Sequence, residues 1–197
     1  DSQGKIVIAK QVTVAEASGA LLIQALAVYA AVPTMQAVTL IAMLSVSRDN
    51  ATVCEALCTA GGMDAVLCSM ATHVSETRLQ QHALAVLSQL AQHGGPAAHT
   101  ALVGANVVEA IATIMHAHNH DGMIFRYGCN ILNVLLCDPS VAHYVATQVW
   151  NLGIVQLVQA ALPLHVGKSG FEKLRRSAEQ LAELMSQAAA FVAHGLA

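Results

Sequence analysis

The stretch Asn106–Leu136, NVVEAIATIMHAHNHDGMIFRYGCNILNVLL, holds the pattern that decides the fold. It opens on Asn106, a residue type that tolerates the left-handed backbone conformation in which one helix ends and the next begins. A short apolar run follows, Asn106-Val-Val-Glu-Ala-Ile, and closes on Met115-His-Ala-His118. After a polar break come Gly128, Leu132 and Leu135. Offsets of four and seven residues place these three on one face of a helix, and the small Gly128 admits a neighbouring helix closely.

The same pattern recurs along the chain, as internal repeats do. A turn residue before a short apolar helix appears at Gly19-Ala-Leu-Leu-Ile, at Gly62-Met-Asp-Ala-Val-Leu and at Gly153-Ile-Val-Gln-Leu-Val, with spacings of 43, 44 and 47 residues when Asn106 is included. A small residue followed by two apolar ones appears as Ala37/Ile41/Leu44, Ala83/Leu87/Leu90 and Ser177/Leu181/Leu184, with spacings of 46, 45 and 49 around Gly128. Met70-Ala-Thr-His73 and Leu162-Pro-Leu-His165 match Met115–His118.

Each unit therefore reads as three helices. A short first helix covers about Thr52–Ala60, Pro96–Val103 and Ser140–Val149. A second covers about Met63–Ala71, Val107–Ala117 and Ile154–Leu162. A third covers about Thr34–Ser47, Glu76–Gln92 and Met123–Leu136, with a last one near Phe171–Ala190. Two opening helices are expected near Lys5–Ala17 and Ala20–Ala31. The whole chain, 1–197, reads as one all-α array. Its units fall at about 1–32 (partial), 33–76, 77–122, 123–167 and 168–197 (partial). It starts and stops out of step with whole units, as an excerpt of a longer array does.

Composition supports a packed helical protein. The 197 residues are 55% apolar and only 11% charged, with a net charge of −3. That is ample material for a core and excludes a disordered chain. The mild acidity speaks against nucleic-acid binding, which needs clustered Lys and Arg. Two stretches, Ala17–Ser47 and Pro139–Gly167, hold no Asp, Glu, Lys or Arg. A spanning helix needs about 20 continuous apolar residues. Pro33 interrupts the first stretch, and Gln148, Asn151, Gln156 and Gln159 interrupt the second, so each is expected to be two packed helices. The five cysteines (Cys54, Cys58, Cys68, Cys129, Cys137) are odd in number and set among apolar residues, as reduced thiols are.

These residues resemble the armadillo repeat family, over nearly the whole chain. Its three-helix units of about 42 residues stack into a right-handed superhelix. The variety most similar has Met-x-x-His at the end of its second helix and Gly-Cys on the buried face of its third. Here these are Met70–His73, Met115–His118 and Gly128-Cys129. The resemblance implies an armadillo-type right-handed α-solenoid of about 3.5 repeats, with two-helix HEAT repeats as the alternative. It also implies a non-catalytic protein-binding scaffold whose partner peptide or helix lies along a concave face of third helices. A regulatory region of a larger multidomain enzyme and a structural subunit of a ciliary or membrane-attached assembly are the alternative roles. The setting is expected to be cytoplasmic, with the cilium or cytoskeleton as variants, and with flanking repeats or other domains of the same chain as neighbours. No cofactor is expected.

Counting from the small residues, the open face of the third helices carries Met35, Thr39 and Met43; then Gln81, Ala85 and Gln89; then Arg126, Asn130 and Val134; then Arg175, Glu179 and Glu183. The Trp–Asn ladder of importin-α-type grooves is missing, and only Arg126 and Arg175 match the basic lining of β-catenin-type grooves. The expected groove is neutral and suits a helix or an extended segment held by amides and methionines.

Other chemistries find weaker patterns. His116-Ala-His118-Asn-His120-Asp121 offers metal-ligand types. His118 matches His73 and His165, however, which assigns it to a helix end, where an imidazole meets free carbonyls. Gly167-Lys168-Ser169 resembles the end of a phosphate loop, but Leu162 stands where that loop needs Gly. No nucleophile motif is present. The basic stretch Lys168–Arg176 reads as a solvated loop and helix start balanced by Glu172 and Glu179.

Overall fold

The computed structural model describes residues 17–195, with side chains through 190. Among these the chain is all-helical, with no strand. The helices are α1 (Ala17–Val28), α2 (Pro33–Ser47), α3 (Ala51–Thr59), α4 (Gly62–Thr72), α5 (Thr77–His93) and α6 (Gly95–Gly104). They continue as α7 (Val107–Ala117), α8 (Gly122–Leu136), α9 (Ala142–Asn151), α10 (Ile154–Ala161) and α11 (Phe171–Gly195), with a 3-10 turn at Leu162–His165. The expected helix at Lys5–Ala17 lies outside the described residues. The chain forms two compact units, the first ending at Ala101 and the second beginning at Leu102. The division falls inside α6.

Local chemistry sets the helix ends. Pro33 opens α2, where its missing N–H costs nothing. The Asn50 side chain accepts from Val53 N at 3.2 Å and caps α3. Asp121 accepts from Met123 N and Ile124 N, both at 3.0 Å, and caps α8. Each such cap is worth about 1 kcal/mol. Gly61, Asn106 and Gly153 have φ of 82°, 57° and 63°. The left-handed residue turns α3 into α4 through 74° and α9 into α10 through 63°. The expected turn residue Gly62 is thus displaced by one position. It is the first residue of α4, packed so closely on Leu57 that an added Cβ would stand 2.7 Å from its carbonyl oxygen. Gly19 is a second correction: it lies inside α1, not before a helix.

The long helices carry one buried seam. In α2 it is Gln36, Leu40, Met43 and Ser47; in α5, Gln80, Leu84, Leu87 and Ala91. In α8 it is Phe125, Cys129, Leu132 and Leu136; in α11, Leu174, Ala178, Leu181 and Met185. The same four offsets recur at spacings of 44, 45 and 49 residues. The expected face Ala83/Leu87/Leu90 is buried, as is Gly128/Leu132/Leu135. In α2 the expected face Ala37/Ile41/Leu44 is not: Ile41 is 44% exposed. In α11 Ser177 and Leu184 are only half-buried. The face counted from the small residue is therefore displaced in these two helices. In α2 the seam residue Gln36 bonds to Leu26 O, whereas in α11 Ser177 itself bonds to α8.

Within the first unit α2 packs on α5, and α5 also packs on α3 and α4. Gln36 Nε2 donates to Leu26 O at 2.7 Å, and Gln80 Nε2 donates to Met70 O and His73 O, both at 2.9 Å. These buried amides satisfy carbonyls freed where a preceding helix ends; leaving one orphaned would cost about 1–3 kcal/mol. His73 Nε2 donates to Ala30 O at 2.7 Å. The histidine thus ties its helix end to backbone 43 residues away, beyond its own carbonyls. Within the second unit α8 packs on α11. There Asn133 Nδ2 donates to Ser177 O at 2.9 Å, and Ser177 Oγ to Asn130 Oδ1 at 2.7 Å.

Candidate functional site

The residues expected to line a third-helix groove divide by burial. In the first unit Thr39, Met43 and Ala85 are buried, and the Thr39 hydroxyl donates to Met35 O at 2.8 Å. Met43 belongs to the seam itself. These three therefore do not line an open face, because the face counted from Ala37 is turned from the true seam. Gln81 and Gln89 on α5 are half-buried. In the second unit Arg126, Asn130 and Val134 on α8 are half-buried, as is Arg175 on α11, whereas Glu179 and Glu183 are exposed. The packing of α8 on α11 and the Ser177–Asn130 bond bring this group together. Arg126 stacks on the Tyr127 ring, 4.5 Å from its centroid. Arg175 is engaged by Glu172 at 2.9 Å and Glu179 at 2.6 Å. Exposed pairs of this kind contribute about 0–1 kcal/mol.

A second feature was not expected from sequence. Between α9 and α11 lies an open groove of about 650 Å³. It is lined by Leu136, Ala146, Trp150, Leu184, Met185 and Ala188, with His143, Thr147, Asn151 and Gln187 at its polar positions. No Asp, Glu, Lys or Arg lines it. The volume lies within the roughly 300–1,000 Å³ typical of binding clefts. Local sequence explains its walls. Asp138 accepts from Ser140 N at 2.9 Å and Ser140 Oγ at 2.7 Å, forming the turn from which α9 starts. α9 then buries Val145 and Val149 and leaves Trp150 66% exposed. Trp150 is the chain's single tryptophan, standing three residues before left-handed Gly153. That position was the available signal.

The cysteines and histidines divide between buried and exposed positions. Burial pushes the Cys129 thiol up to about 12, and burial with neighbouring Cys58 and Glu55 pushes Cys54 up to about 11. Cys58 rises to about 11 through burial and Glu55. Such thiols stay protonated and unreactive. Cys68 and Cys137 are exposed. His116 and His120 are exposed, and Asp121 is occupied as a cap. Among the described residues no three His, Cys, Asp or Glu side chains gather as a metal site. His165 is 3% exposed, tilted against Phe125, and held below the usual histidine value by burial and by Lys168. Among the described residues no single helix is long and apolar enough to cross a membrane.

No family model, no curated protein and no solved structure matches the chain.

Proposed function

We propose that the chain is a non-catalytic protein-binding module built as an armadillo-type α-solenoid. The recurring seam, the left-handed residue between first and second helices, and the histidine at the second-helix end support that architecture. Stacked repeats of this kind offer long helical surfaces to partner segments. The single observation that carries the binding role is the open, mostly apolar groove between α9 and α11, which no Asp, Glu, Lys or Arg lines, with Trp150 66% exposed on its wall. Exposed tryptophans in apolar clefts are favoured interface anchors. The half-buried group Arg126, Asn130, Val134 and Arg175 is the accessible remainder of the third-helix face in the second unit.

The test immobilises the chain and compares wild type with Trp150→Glu and with Arg126→Glu/Asn130→Ala, each checked for unchanged helical circular dichroism. A protein retained by wild type and lost with Trp150→Glu supports the reading and places the site at the groove. Loss with the double variant alone places it on the third-helix face. Retention indifferent to both overturns binding at either surface.

A further inference from the structure

The outer face of α2 exposes what the same positions bury elsewhere in the chain. Met35, Val38, Ala42 and Val46 stand three or four residues apart, on the side of α2 turned from its seam. Val38 is 59% exposed, Met35 and Val46 are exposed, and Ala42 is half-buried. Counted along the seams, Met35, Ala42 and Val46 correspond to Leu79, Val86 and Leu90 in α5, and to Ile124, Ile131 and Leu135 in α8. All six of these counterparts are buried. Scattered apolar residues are ordinary on a protein surface, but these hold positions that are core in α5 and α8. In α11 the same positions carry different chemistry. Exposed Lys173, Arg176 and Gln180 stand where α2 has Met35, Val38 and Ala42. α11 thus presents the polar face that a terminal helix of stacked repeats needs in water, and α2 does not.

Three observations select what covers this face. The first is packing. α2 lies on α5 and α8 lies on α11, so each unit sets one long third helix against another. The second is charge. No Asp, Glu, Lys or Arg stands between Ala17 and Ser47, so two copies of α2 meet without stripping water from an ion. Copies joined head to tail, α2 on α11, would bury Lys173 and Arg176 against a helix with no acid to pair them. The third is the opposite side of the helix. A helix that lies on a membrane backs its apolar side with a polar side rich in Lys and Arg. α2 has neither residue, and its other side is the buried seam. We infer that the outer face of α2 binds the α2 of a second copy of this chain across a twofold axis, with Met35, Val38, Ala42 and Val46 of each copy in the contact. Such a contact uses one patch twice and closes at two chains. No residue of the groove beside Trp150 takes part in it.

Sedimentation velocity of the full chain, from low micromolar to several hundred micromolar, tests this contact. The expected result is a species of twice the single-chain mass of 20.5 kDa that gives way to one chain on dilution. Val38→Glu places a carboxylate in the contact twice. It should weaken the dimer at least about tenfold, equivalent to about 1.4 kcal/mol, with helical circular dichroism intact. If that variant does not fold, Val38→Gln replaces it. Arg176→Ala, at the matching position of α11, should leave the dimer unchanged. Three results overturn the inference: a single chain at every concentration, a dimer that the Val38 variant leaves intact, or a dimer lost equally with Arg176→Ala, which would assign the contact to α11. Where the chain stays single, flotation with phosphatidylcholine vesicles reads the other occupant, and flotation lost with the Val38 variant would assign the face to lipid.

Discussion

Met43→Ala and Ile41→Ala, two residues apart on α2, separate two registers of the same helix. Met43 is 0% exposed and lies in the seam, whereas Ile41 is 44% exposed. A buried Met→Ala change costs about 2–5 kcal/mol through lost transfer energy and the cavity left behind. Removing three carbons from Ile41 would cost about 2.4 kcal/mol at full burial, at about 0.8 kcal/mol per CH₂. Just over half of Ile41 is out of water, which reduces this to about 1.3 kcal/mol, and the better helix propensity of alanine returns a few tenths. Met43→Ala should therefore be the costlier by about 1–4 kcal/mol. At about 2–4 °C per kcal/mol for a chain of this size, its midpoint should fall several degrees further. Thermal unfolding followed by helical circular dichroism reads both variants under one condition. Equal midpoints, or a larger loss for Ile41→Ala, would show that α2 buries the face counted from Ala37 and that the seam is misassigned.

Three further outcomes are expected. Gly94→Ala should destabilise by about 1–3 kcal/mol, because its Cβ would meet Leu90 O and Ala98 Cβ at 2.6 Å. Gly104→Ala, with open space around the new Cβ, should be neutral or slightly stabilising, and urea midpoints compare the two. Alkylation of the native chain at pH 8 should modify exposed Cys68 and Cys137 first, while Cys54 and Cys129 react only on unfolding; peptide mapping by mass spectrometry reads the order. His165 is buried, and its folded value is held below the reference of 6.5, first by burial and then by Lys168. The unfolded chain then binds the proton more readily. This contribution to stability is complete above about pH 6.5 and declines as pH falls from there towards the depressed folded value. His165→Gln should flatten the stability profile over that window, which denaturation midpoints at pH 5 to 8 would measure.

The amino-acid sequence by itself determined that the chain is helical, where most helices start and stop, and which residues punctuate them. Pro33, Asn50, Asp121, Asn106 and Gly153 act within one or two turns of backbone, so their effects are readable from neighbours in the chain. The interior third-helix faces at Ala83/Leu87/Leu90 and Gly128/Leu132/Leu135 were also legible, because α5 and α8 pack on several neighbours and bury ten and nine of their residues, so that several offsets find the core. The faces of α2 and α11 were not. There the choice between Ile41 and Met43, or between Leu184 and Met185, depends on where a neighbouring helix lies. The buried donors that hold the register, such as Gln36 reaching Leu26 O, look like surface amides in sequence. For the same reason Thr39, Met43 and Ala85 read as groove residues and proved buried. Only the tertiary structure decided that Trp150 borders an open groove. Its neighbours Leu184, Met185 and Ala188 lie more than thirty residues away in sequence, and nothing local to Trp150 records whether a helix covers it.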